Sequence, residues 1–156
     1  IKEKGEAMFD ASKMLSIGQN AMKSRVVQRS DTAAAYSGSL QQFLATPILI
    51  DMGVRASMDV IDQCLPPDMM SVGRYINFEH TVATSIGMTV TVKATIISMT
   101  EKEVEFRLEA WDEQGDIAHG IHRRCIVHRD DMEKRVSERR SKAEQRAEKR
   151  AGERVQ

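Results

Sequence analysis

The stretch GMTVTVKATIISM (residues 87–99) decides the fold. Met88, Val90, Val92, Ala94 and Ile96 alternate with Thr89, Thr91, Lys93 and Thr95. A period of two puts one set of side chains on a buried face and the other in water, as in an antiparallel sheet covered on one side. EVEFRLEAWD (103–112) repeats the pattern, setting Val104, Phe106, Leu108 and Ala110 against Glu103, Glu105, Arg107 and Glu109. Further out, RYINFEHTV (74–82) and IHRRCIVHR (121–129) read as two more strands, and AMKSRVVQR (21–29) as a first strand ending at Ser30-Asp31-Thr32. Asp112 to Asp116 form the turn between the last two strands.

Upstream of the alternation the period lengthens. Thr46 to Gln63 reads as the one interior helix, almost wholly apolar at Ile48, Leu49, Ile50 and Met52, and Leu65-Pro66-Pro67 stops it. A helix so apolar at its start is wrapped by sheet rather than laid on a surface. One helix against a five-stranded antiparallel sheet is an α+β plan. Such a sheet has two edges, and pairing across one of them predicts a dimer. Thr46-Pro47 opens the helix and admits two readings. The threonine hydroxyl caps the free N–H groups of the first turn, with proline at the first helical position, or this helix end faces a bound polarised group.

Bulk properties narrow the function classes. A chain of 156 residues is the size of one domain with a real core. Lys plus Arg and Asp plus Glu balance at 23 each, which argues against a globally basic nucleic-acid binder. Residues 129–156 nevertheless carry ten Lys or Arg against seven Asp or Glu, so this charged helical tail holds +3 and the body −3. The tail reads as inert or as a weak interaction arm rather than as a nucleic-acid contact, and nucleic acid is not the expected partner. Cys64 and Cys125 read as free thiols of a reducing compartment, and no apolar run approaches the roughly 20 residues of a membrane span, so the cytoplasm is expected. Residues 1–18 read as an arm, 19–130 as the folded domain and 131–156 as the tail.

Few residues here can carry chemistry. His80 in INFEHTVATSIGM shares a strand face with Phe78 and Val82, while Glu79 points the other way. An imidazole among apolar groups needs a partner and has a movable pKa; taken alone it reads as a satisfied core residue. His122, Arg124 and His128 share a face of the last strand. His122 and His128 stand six residues apart, about 20 Å at roughly 3.3 Å per residue, too far to share a metal. No metal site is expected, and SGSL (37–40) is not a nucleophile elbow.

Three stretches together resemble the hotdog-fold acyl-CoA thioesterases, in the branch containing the fluoroacetyl-CoA thioesterases. They are SDTAAAYSGSLQQFLATP (30–47), SVGRYINFEHTVATSIGMTV (71–90) and EAWDEQGDIAHGIHRR (109–124). The resemblance implies a sheet wrapped around the Pro47–Gln63 helix, a dimer, and a small or medium acyl-CoA thioester hydrolysed at the dimer interface. It carries the family's threonine onto Thr46 and its histidine onto His80, and sets Gly73 near the thioester. Because Pro47 cannot donate, Ile48 or a later residue, or Gly73, is the backbone donor expected at the carbonyl, and Arg124 of the last-strand set is a further candidate substrate contact. The family's glutamate falls on Val54. Asp51, one turn earlier, is the candidate replacement, although Arg55 at i,i+4 competes for it. No cofactor is implied. The missing glutamate keeps open a non-catalytic protein that binds acyl-CoA.

Overall fold

The structure, a computed structural model, describes residues 9–38 and 42–155. Five strands, β1 (Asn20–Val26), β2 (Met69–His80), β3 (Thr89–Met99), β4 (Glu103–Asp112) and β5 (Gly115–His128), form one antiparallel sheet in the order β1-β3-β4-β5-β2. Helix α1 (Thr46–Ile61) lies in its concave face, and α2 (Arg129–Glu153) leaves from the end of β5.

The alternation in β3 and β4 does what its period requires. Val90, Val92, Ala94, Ile96, Val104, Phe106, Leu108 and Ala110 are all buried. Against them α1 buries Leu49, Met52, Gly53, Ala56, Ser57, Val60 and Ile61, a single stripe at three- and four-residue spacing. The helix comes close because Gly53 has no side chain: a Cβ there would stand 3.0 Å from Leu108 Cδ1 and 3.1 Å from Phe78 Cε2. α1 ends at Ile61, and Asp62–Cys64 form a 3₁₀ turn in place of the last helical residues expected.

Several boundaries differ from the sequence reading. β2 starts at Met69 and ends at His80, so Val82 lies beyond the strand. β5 starts at Gly115 rather than at Ile121: GDIAHG has a turn-like composition, but β4 and β2 pair with this segment from both sides. Only Glu113 and Gln114 remain in the turn, relieved by Gly115 at φ +127°. The expected arm also needs correction. Its first eight residues lie outside the described residues, but Ala11 and Leu15 are buried in the main core, and Ala11 N–H donates to the Glu101 carbonyl at 2.9 Å.

β2 contains the irregularity on which the site depends. Gly73 pairs with Arg124 and Tyr75 with Arg123, leaving Arg74 as an extra residue. Such a bulge exchanges the two faces of the strand. Ser71 and Gly73 share the inner face before it; Ile76, Phe78 and His80 share it afterwards. At Gly120 the two strands approach so closely that a Cβ would overlap the Asn77 carbonyl. Gly120→Ala is therefore expected to destabilise the fold by about 3 kcal/mol, the upper end of overpacking costs, as measured by urea unfolding.

Candidate active site

The strand-like segment before α1 is tied down on both sides. Leu44 N–H donates to the Thr84 carbonyl and Ala45 N–H to the Asp31 carbonyl, each at 2.8 Å. Thr84 is fixed in turn by its hydroxyl on Asp112 Oδ2 at 2.7 Å. Ala45 stays extended and becomes the N-cap, leaving Thr46 as the first helical residue. The capping reading of Thr46 is thereby corrected: no side chain caps this helix, and the Thr46 hydroxyl meets His80 Nδ1 at 3.0 Å.

His80 is the last residue of β2, on the inner face opposite Ala118. Burial favours the uncharged ring and pulls its pKa below the ordinary 6.5, against a smaller opposing effect from the Val82 backbone. Its Nε2 is buried and has no hydrogen-bond partner among the described residues. Both side chains line a cavity of about 500 Å³, walled chiefly by Tyr36, Phe43, Leu44, Pro47 and Val82. A neutral imidazole in hydrogen-bond contact with a hydroxyl, beside an apolar cavity, has the parts of a general base with its nucleophile.

Other expected participants are placed elsewhere. Asp51 Oδ2 accepts from Arg55 Nε at 2.8 Å, and these two share a surface hollow with Lys23, Ser24 and Arg25 of β1. Asp51, the candidate replacement for the family's glutamate, bonds Arg55 and not either ring nitrogen of His80 within the chain. Ile48 N–H is also engaged, donating to the Ala45 carbonyl at 3.1 Å. Pro47 has no N–H, so among the described residues the Thr46 amide is the donor at this helix start without a backbone partner.

Gly73 and Arg124 form a second cluster. Seven residues of strand separate Gly73 from His80, about 23 Å at roughly 3.3 Å per residue. Arg124, only 4% exposed, donates from Nε to Ser71 Oγ at 3.0 Å and from Nη2 to the Ser71 carbonyl at 2.9 Å. The Ser71 hydroxyl donates in turn to Asp62 Oδ1 at 3.1 Å. Burial lowers the guanidinium's pKa, and the Asp62 carboxylate offsets part of that. Arg124 Nη1 lies 3.3 Å from His122 Nε2. A guanidinium cannot accept, so Nε2 accepts and the opposite nitrogen, Nδ1, donates to the Tyr75 carbonyl at 2.9 Å. A Cβ at Gly73 would stand 3.4 Å from Arg124 Nη1, so the glycine leaves a window onto a buried cation. Sequence reasoning missed Ser71 and Asp62, which come from a strand start and a helix end with no local signal joining them. The described residues contain no cluster of metal-binding side chains and no helix long and apolar enough to cross a membrane.

Residues 27–130 match the model of the fluoroacetyl-CoA-specific thioesterase family. The chain belongs to that family. Over 87 residues it is 31% identical to the fluoroacetyl-CoA thioesterase of Streptantibioticus cattleyicolor, a match covering 56% of this chain and 63% of that protein. The chain thus spans less than two thirds of that curated relative's length. A hot-dog-like protein from Thermanaerovibrio acidaminovorans superposes with a TM-score of 0.79 at 27% identity, covering 83% of this chain and 96% of the other. A structure of the fluoroacetyl-CoA thioesterase FlK gives 0.74 at 25% identity, covering 80% and 96%. The α+β architecture of this thioesterase-family chain is the hotdog fold.

The pKa shifts have a consequence for stability. His80 and His122 are both held below 6.5 by burial, the latter also by the Arg124 charge. As pH falls, the unfolded chain takes up protons that the folded chain refuses. The stability owed to the neutral rings is whole above pH 6.5 and lost as pH drops from there through the folded values. Urea midpoints measured across this range are expected to fall below pH 6.5, and to fall less steeply in His80→Gln.

Proposed function

We propose that this protein is an acyl-CoA thioester hydrolase with Thr46 and His80 as its catalytic pair. The observation that carries the reading is the 3.0 Å hydrogen bond between Thr46 Oγ1 and His80 Nδ1 in the wall of an apolar cavity. The neutral ring takes the hydroxyl proton as Oγ1 attacks the thioester carbonyl. The Thr46 amide and the positive end of α1 stabilise the oxyanion. Collapse expels the CoA thiolate, which takes the proton from His80. Water, deprotonated by the same ring, then cleaves the acyl-threonine and restores the hydroxyl. Tyr36, Phe43, Leu44 and Val82 favour a small or medium apolar acyl group. The unpaired Cys64 and Cys125 are consistent with a cytoplasmic setting.

The bulge in β2 supports a site shared between two subunits. β2 is an edge of the sheet and free to pair with a second copy. A two-fold antiparallel pairing centred on Asn77, with Arg74 bulged out of the register, would set Gly73 of the partner subunit opposite His80. Two residues seven apart lie on opposite faces of a regular strand; the extra residue at Arg74 brings both to the inner face. In such a dimer Gly73 and Arg124 reach the thioester from the subunit opposite.

Release of free thiol from a panel of short, medium and aryl acyl-CoAs tests the proposal. Thr46→Ala and His80→Ala are each expected to lower kcat/KM by about 100-fold or more; unchanged turnover in both variants would refute it. A second reading, an acyl-CoA binder without turnover, is favoured by Val54 at the family's glutamate position and by the Asp51–Arg55 pair. Val54→Glu is expected to raise the hydrolysis rate. Tight acyl-CoA binding by the unaltered protein with no thiol released would decide for the second reading.

A further inference from the structure

We propose that α2 is a docking surface for the phosphodiester backbone of duplex nucleic acid, independent of the thioesterase reading. All of its residues from Glu133 to Glu153 are exposed, so its side chains are free to meet a partner. At about 100° per residue, Arg135, Arg139, Lys142, Arg146, Lys149 and Arg150 fall within one sector of roughly 100°. Between Arg135 and Arg150 that sector contains nothing else; Asp131 and Met132 enter it before the stripe and Glu153 after it. Glu133, Glu144 and Glu148 fall on the opposite side, and Arg140 pairs with Glu144 off the stripe.

This placement works against the helix itself. Arg139 has Arg135 and Lys142 as its charged neighbours at three- and four-residue spacing, and Arg146 has Lys142, Lys149 and Arg150. Each like-charge pair destabilises an isolated helix. Acids reach the stripe from its flank and ends only, Glu138 beside Arg135 and Lys142, Asp131 beside Arg135, and Glu153 beside Lys149 and Arg150, and they leave Arg139 and Arg146 with cations alone. A line of external anions removes the repulsion. The stripe runs about 22 Å at 1.5 Å per residue, with a cation every 5 Å or so. A duplex offers a negative charge per roughly 1.7 Å of axis and a major groove that admits a helix. An apolar face for entering a lipid surface is lacking: among residues 133–153 only Val136 and three alanines are apolar. The body, at −3, leaves α2 as the element that docks.

Anisotropy of a labelled mixed-sequence DNA duplex, titrated with the full chain at several salt concentrations, tests this. Binding is expected, with log K falling linearly against log salt by about 0.9 per phosphate neutralised. Arg139→Gln with Arg146→Gln should flatten that slope by about 1.8, whereas Lys134→Gln with Arg140→Gln, off the stripe, should flatten it by less than half as much. Circular dichroism checks that α2 stays helical; should the Gln pair lose helix, Arg139→Lys with Arg146→Lys keeps the charge and must keep the slope. No binding at low salt, equal effects of the two Gln pairs, or tighter binding to polyglutamate or anionic phospholipid vesicles than to the duplex would each overturn the proposal.

Discussion

Burying one helix stripe in the hollow of one sheet constrains the rest of this molecule. Leu49 to Ile61 must meet Val90 to Ile96 and Val104 to Ala110, and Gly53 permits the approach at van der Waals distance from Leu108 and Phe78. Once α1 is seated, its first residue has nowhere to go except the end of β2. The Asp31 and Thr84 carbonyls then hold the preceding residues extended, and the threonine hydroxyl is delivered to the imidazole. The proposed chemistry is thus a by-product of packing: the same contacts that bury the stripe set the donor–acceptor distance.

Much of this was legible in the sequence because it rests on periodicity. Alternation in 88–96 and 104–110 gave the buried face, and the apolar opening of 46–52 gave a helix enclosed by sheet. Strand limits were less legible. Segment 115–120 contains two glycines and an aspartate, and only pairing on both sides makes it a strand. The site was legible to a similar degree. Thr46 and His80 were pointed out by the family resemblance, but the role of the hydroxyl turns on whether Ala45 or Thr46 caps the helix, a one-residue matter decided by distant carbonyls. Asp51 has two possible directions on its helix, and the sequence does not reveal that it bonds Arg55 and not the histidine. The seven-residue interval between Gly73 and His80 was visible; the bulge that makes it compatible with one strand face was not.

The tail shows a different kind of opacity. A net charge counts ions without placing them, so a chain with equal numbers of each sign looks neutral toward polyanions. Winding residues 129–153 into a single helix sorts the same ions by azimuth. The balance of the whole molecule and the segregation on one rod are separate properties, and only the second bears on what that rod can touch.

The two histidines of the inner face differ in what the solvent can do to them. In His122 the lone pair that would receive a proton is already committed to a guanidinium, and the ring's N–H to a main-chain oxygen. This ring sits against a buried cation, which adds to burial in disfavouring its protonated form. His80 has one nitrogen without a hydrogen-bond partner among the described residues. Burial holds both rings below the ordinary 6.5, so stability answers to both, but only His80 meets a hydroxyl in the cavity wall, and the acidic limb of a rate profile would report on that ring.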